Sequence, residues 1–175
     1  MLLLILAPRM AFAGELMVYS GPLLHSALTG CCASSGTKVG VGALVRLDVS
    51  QVKTIDIQAY SDGRWNEGQV LKPFYLYGTP ARLDSGAGEM VIAKTVSNWK
   101  WISSVGGGYF SHTTTTKDFS LPVRVSGFLL SNFNQFIYSY NSEWSALAML
   151  QLSFATSRSD KSIVFGSQIG IGFEF

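Results

Sequence analysis

Charge is scarce in this chain. Lysine, arginine, aspartate and glutamate make up 14% of its 175 residues, against about a quarter in soluble proteins. The net charge is +2 and the basic residues are scattered, without a run or interleaved stacking aromatics, which excludes an electrostatic case for a nucleic-acid partner. There are two histidines, His25 and His112, and two cysteines, Cys31 and Cys32, side by side. Neighbouring thiols can close only a small strained ring, and two alone cannot complete a zinc site. In an oxidising compartment they could pair with each other or with another chain; the plainer reading is two small residues near a strand start. No His, Cys or carboxylate cluster has metal-ligand spacing, and no cofactor is expected. Gly106-Gly107-Gly108 lacks the Gly-Lys-Ser/Thr ending of a phosphate loop and does not open a helix. Long apolar runs are missing too. Apolar residues reach 47%, yet no stretch of about 18 occurs, so no helix is expected to span a membrane.

What is present is alternation. In Lys161–Phe175, Ile163, Phe165, Ile169, Ile171, Phe173 and Phe175 hold the odd positions, and Gly166, Gln168, Gly170, Gly172 and Glu174 lie between them. A period of two puts one apolar and one small or polar face on a strand. The same pattern fills Lys38–Val49, where Val39, Val41, Ala43, Val45, Leu47 and Val49 oppose Gly40, Gly42, Leu44, Arg46 and Asp48. Weaker versions run through Val52–Tyr60, Val70–Gly78 (interrupted by Pro73), Met90–Thr95, Asn98–Phe110, Phe119–Ser126, Phe136–Glu143 and Ala146–Phe154, giving about nine candidate strands. Asp62–Gly68, Leu130–Asn134, the threonine-rich Ser111–Lys117 and Thr156–Lys161 read as turns or loops.

Residues 1–13 resemble an export signal. Leu2–Ala7 is apolar, Pro8 breaks it, and Ala11-Phe12-Ala13 before Gly14 matches a small-x-small cleavage site. Leu28-Thr29-Gly30-Cys31 resembles a lipobox, but Tyr19, Ser20, Gly21, Pro22, His25 and Ser26 interrupt the apolar stretch such a signal needs. Residues 14–36 are mixed and form either a periplasmic lead-in or a first strand, and residues 37–175 carry one domain.

The closing strand, the alternation and the signal together resemble the small outer-membrane β-barrel proteins of Gram-negative bacteria. The resemblance covers roughly residues 37–175, and no motif selects a family within the class. It implies an all-β, closed, antiparallel up-and-down transmembrane barrel in the bacterial outer membrane, of eight strands with ten as the alternative. It also implies contact with outer-membrane lipid and lipopolysaccharide, and recognition of the C-terminal strand by the barrel-insertion machinery. Trp99, Trp101, Tyr138, Tyr140, Trp144, Phe173 and Phe175, with Tyr109 and Phe110, fall towards strand ends, where aromatics build the interfacial girdles of such barrels.

Turning the apolar faces to lipid sends the polar ones into the lumen. A structural network of Arg46 and Arg124 with Asp56, Glu143 and Glu174 is expected, because unpaired buried charge is costly. Eight strands leave room for side chains and no pore. The expected role is therefore structural or surface-interacting, with some of the turns facing outward. Two other classes stay open. One is a lipid A- or phospholipid-modifying hydrolase, with His112 and a serine such as Ser104 or Ser111. Barrels that trim lipid A carry His-x-Ser, whereas this chain has Ser111-His112-Thr113. The other is a soluble lipocalin-like binder of an apolar ligand, with the odd face of the closing strand turned inward.

Overall fold

The computed structural model describes residues 14–29, 36–50, 53–77, 98–115, 122–158 and 160–175. Eight strands lie in these segments: β1 (Gly14–Thr29), β2 (Gly36–Ser50), β3 (Lys53–Ser61), β4 (Trp65–Tyr77), β5 (Trp99–Thr115), β6 (Pro122–Ser139), β7 (Trp144–Thr156) and β8 (Lys161–Glu174). Each pairs antiparallel with its sequence neighbours, and β8 pairs with β1 to close the barrel. Closure is sealed where Gly14 N donates to Phe175 O at 3.0 Å and Phe175 N to Gly14 O at 2.9 Å. We call this the closing end, and the other, with the turn at residues 62–64, the far end. Among the described residues there is no helix.

The alternation decides which face goes where. On β8, Phe165, Ile169 and Ile171 are exposed on the outer surface while Val164 and Gln168 are buried inside. On β2 the valines Val39 and Val41 are exposed and Leu44 and Arg46 are buried. Following hydrogen-bonded partners from His25 on β1 round through β8, β7 and onward returns to β1 at Glu15, ten residues lower. A stagger of this kind tilts the strands against the barrel axis, as closure requires.

Glycine and proline sit where the lumen and the ladders demand them. A Cβ at Gly42 would overlap the Tyr19 ring, so this glycine makes room for a tyrosine inside a narrow tube. Pro73 lies beyond Leu71, the last β4 residue paired with β3, so its missing N–H breaks no ladder on that side. The β1–β8 ladder likewise skips Gly21 and Pro22. In the tight turns, Asp62 Oδ1 accepts from Arg64 N (2.8 Å) and Trp65 N (2.6 Å), with Gly63 at φ +84°. Asn141 Oδ1 accepts from Glu143 N and Trp144 N. Both are carboxylate or amide side chains imitating a backbone turn.

Residues 14–29 form β1 of the barrel wall, the first-strand alternative. Other sequence expectations change. The supposed turn at Leu130–Asn134 lies inside β6, which merges two expected strands into one. Asn132 and Asn134 imitate a turn in sequence but alternate with the buried Ser131, Phe133 and Gln135. Only residues 62–64 of the Asp62–Gly68 loop form a turn, since Trp65 begins β4, and β5 runs on to Thr115. The export signal at 1–13, Cys31, Cys32 and the Met90–Thr95 segment lie outside the described residues.

Candidate functional site

The lumen is filled by two polar layers and an aromatic lid, set among buried apolar side chains such as Met17, Leu44, Leu71, Ile102, Phe133 and Ile137. Nearest the closing end, Arg46 binds Asp56 through two bonds, Nε to Oδ1 at 2.8 Å and Nη2 to Oδ2 at 2.9 Å. Its Nη1 reaches Glu15 at 3.0 Å and its Nη2 also reaches Gln135 Oε1 at 2.7 Å. Ser104 Oγ donates to Asp56 Oδ2 (2.7 Å), Gln135 Nε2 to Ser104 Oγ (3.0 Å) and Ser145 Oγ to Glu15 (3.3 Å). The guanidinium carbon lies 6.0 Å from the Tyr75 ring centre. One cation thus gathers side chains from β1 to β7. A planar guanidinium with five fixed donors suits this task in a way an ammonium does not.

The second layer, towards the far end, is organised round a carboxylate. Glu67 accepts from Trp65 Nε1 (2.8 Å), Gln58 Nε2 (3.1 Å) and Gln151 Nε2 (2.9 Å). Gln58 also donates to Tyr19 OH at 2.6 Å, and Gln151 to Ser153 Oγ at 3.0 Å. All of these side chains are buried. Above them Trp65 stacks on Phe110 (4.7 Å, 10° between planes), and His25 sits 5.0 Å from Trp65 and edge-on to His112 at 4.5 Å. Among the described residues, no group of three His, Cys, Asp or Glu could hold a metal ion.

The expected network is therefore redrawn. Arg46 and Asp56 are its centre. Arg124 is on the outer wall, exposed, where its Nη2 meets Ser111 Oγ at 3.2 Å; the outward parity of β6 at that position takes it from the lumen. Glu143 is exposed in the β6–β7 turn. Glu174 pairs with Lys100 Nζ (2.6 Å) at the closing end. Glu15, Gln135 and Glu67 are the members the sequence reading missed. Glu15 falls in a segment whose alternation is short, and Glu67 was hidden in an apparent loop. His112 points inward, whereas its neighbour Ser111 faces the other side of the sheet. Ser104 lies eight residues down β5, held by Asp56 and Gln135. Among the described residues, neither Ser104 nor Ser111 is brought to His112.

The outer wall is apolar, with Trp99, Trp101, Tyr138, Tyr140, Trp144 and Phe175 around the closing end and paired rings such as Trp99–Tyr138 (4.8 Å) and Trp144–Phe173 (5.0 Å). Phe110 belongs to the lumen, not the girdle. Polar side chains on this wall satisfy each other, as Asn134 Nδ2 donates to Asn132 Oδ1 (2.7 Å) and Asn132 Nδ2 to Ser103 Oγ (2.9 Å). Lys72 runs along the wall over the Phe74 ring at 5.4 Å, a cation with its stem on apolar surface.

No protein-family model matches the sequence, and neither does any curated protein. Solved structures do match. Neisserial surface protein A aligns with a TM-score of 0.62 at 6% identity, covering 93% of this chain and 97% of that one. The outer membrane protein OprG of Pseudomonas aeruginosa gives 0.57 at 13%, covering 94% and 97%. Ail, the attachment invasion locus protein of Yersinia pestis, gives 0.50 at 9%, covering 93% and 99%. At such identities the likeness is one of fold, the closed eight-stranded barrel.

Proposed function

We propose that this chain is a plugged outer-membrane barrel of a Gram-negative bacterium, with a structural or surface-interaction role and no pore. In this reading the far end faces outward and the closing end faces the periplasm, where the last strand is offered to the insertion machinery. The wall supports a membrane setting: large apolar side chains such as Phe128, Leu130, Ile169 and Ile171 are exposed round a tube that buries Glu15, Arg46, Asp56 and Glu67 inside. The same observation argues against the soluble lipocalin-like binder, which needs that apolar face within.

The observation that carries the absence of a pore is the lumen itself. Arg46 and Glu67 each anchor a cross-barrel layer of buried side chains, and the Trp65–Phe110–His25–His112 rings pack together towards the far end. A hydrolase is not favoured, because His112 has aromatic neighbours where a nucleophile would be needed. The test is single-channel recording after insertion into planar bilayers. The unmodified protein is expected to give no conductance steps, and steady steps would overturn the plugged reading. Extraction of lipid A from cells overproducing the protein should give an unchanged mass spectrum; a new lipid A species that disappears with His112→Ala would restore the enzyme.

A further inference from the structure

One sector of the outer wall is built differently from the rest. Across β3, β4 and β5 the outward residues Ala59, Gly68 and Tyr109 are register partners, as are Ile57, Val70 and Gly107. Gly68 has open space where a side chain would be, with nothing nearer to its Cβ position than Gln58 O at 4.0 Å. Continuing round the barrel from Gly107, the outward partners are Leu130, Phe154 and Ile163, all large. The missing side chains leave an open apolar groove of about 710 Å³, walled by Tyr109 and Phe128 packed edge to face at 5.9 Å.

The groove leads up to a cationic, hydroxyl-bearing rim. The next outward row towards the far end is Asn66, Ser111 and Ser126, followed by Thr113 and Arg124. Arg124 is exposed and bonded to Ser111 Oγ, and Thr113 N donates to Arg64 O at 2.9 Å, which ties the β3–β4 turn and its arginine to the same spot. Arg124 stands four residues above Phe128, roughly 13 Å along a strand. A guanidinium binds phosphate oxygens with two parallel donors, and hydroxyls beside it add neutral ones.

We propose that this sector is a binding site for one phosphate-bearing lipid, with its phosphate on Arg124 beside Ser111 and one acyl chain in the Gly68–Gly107 groove. The inference rests on the membrane placement proposed above and adds a ligand class to it. The charge at the rim and the apolar channel beneath it match the two ends of such a molecule. A second copy of the chain would present large apolar side chains to the groove but no phosphate to the arginine.

The test is native mass spectrometry of the full chain refolded into vesicles containing lipid A, or phosphatidylglycerol instead, then released into mild detergent. Three variants accompany it: Arg124→Glu, Gly68→Leu, and Arg158→Glu as a control from the β7–β8 turn. The expected result is one retained lipid per barrel, with Arg158→Glu unchanged. Loss of a charge-assisted contact should lower retention roughly tenfold in Arg124→Glu, and Gly68→Leu should lower it by blocking the chain. Retention of lipid A alone would name a glycolipid of the outer leaflet, and retention of both lipids a general phosphate-lipid site; either supports the proposal. Equal retention by all variants, no retention by the unmodified protein, or cross-linked dimers through this wall in place of lipid would overturn it. Unboiled and boiled gels of each variant report folding separately. A heat-modifiable band without bound lipid would sink this site and leave the barrel standing, whereas its absence from the outer-membrane fraction of cells would sink the membrane placement itself.

Discussion

The two halves of the lumen solve one problem, burying polar groups inside a narrow tube, by opposite means. Near the closing end the centre is a cation, and two carboxylates, an amide and a serine converge on Arg46 or its partner Asp56. Near the far end the centre is a carboxyl group, and the groups that converge on Glu67 are an indole and two amides, none of them charged. The first layer depends on charge balance. Take away its cation and two buried carboxylates, on the strands to either side of it, lose their counter-charge. The second depends on donors being in place around a single carboxyl group, and each donor also holds a neighbour: Trp65 stacks on Phe110, Gln58 donates to Tyr19 and Gln151 to Ser153. The halves should therefore fail differently: the first steeply and all at once, the second in steps.

The largest expected effect is on the ionic half. Arg46→Ala should cost about 3–5 kcal/mol, because the penalty is the stranded charge of Asp56 and Glu15. The measurement is a urea titration of barrels refolded in detergent micelles, with the folded fraction read from unboiled gels. Adding Asp56→Asn to Arg46→Ala should restore part of the loss. If the double variant is no better than the single one, charge imbalance is not what the arginine prevents. Next comes Trp65→Phe, which keeps an aromatic ring against Phe110, removes the Nε1 donor to Glu67 and reduces the volume of a fully buried side chain. A buried hydrogen bond to a charged group lost from one side should cost about 2 kcal/mol. An effect as large as that of Arg46→Ala would erase the proposed difference between the halves.

The sequence made the wall easier to read than the lumen. Period-two runs such as Val39–Val49 and Ile163–Phe175 state the inward and outward faces outright, because each side chain's direction depends only on its parity. Strand number was harder, since a strand whose outward residues are asparagines looks like a turn. Asn132 and Asn134 are legible as wall residues only once Ser103 on the neighbouring strand is seen to bond with them. The Arg46–Asp56 pair could be anticipated because both lie in clean alternating runs. Glu15 is the register partner of Arg46 on the neighbouring β1, in a segment whose alternation is short. Gln135 joins from across the barrel, 89 residues away from Arg46 in sequence, and that contact depends on the ten-residue stagger, which local pattern does not encode. Arg124 was misplaced for a related reason. Near the end of β6 the apolar face no longer predicts parity, since Val123 and Arg124 are both exposed.

The smaller effects sharpen the contrast further. Glu67→Gln keeps one carbonyl acceptor for the surrounding amides while removing a buried carboxyl group that has no cationic partner in its hydrogen-bond set. The two changes oppose each other, so the net loss should be about 1 kcal/mol or less. A loss matching that of Arg46→Ala would mean that the carboxylate's charge is itself required.

The smallest effect belongs to the ion pair outside both layers. Lys100 and Glu174 approach to 2.6 Å, but the glutamate side chain is 42% exposed at the closing end. Water and salt screen such a pair, and Glu174→Gln should change stability by about 0.5 kcal/mol at most. Repeating the titration at roughly 1 M salt, where the screening length is only about 3 Å, should abolish even that difference. Arg46→Ala should keep nearly its full cost under the same salt, because ions do not enter a lumen packed with side chains. Equal salt sensitivity of the two variants would mean that the Arg46 layer is wet, and with it that the tube is not closed.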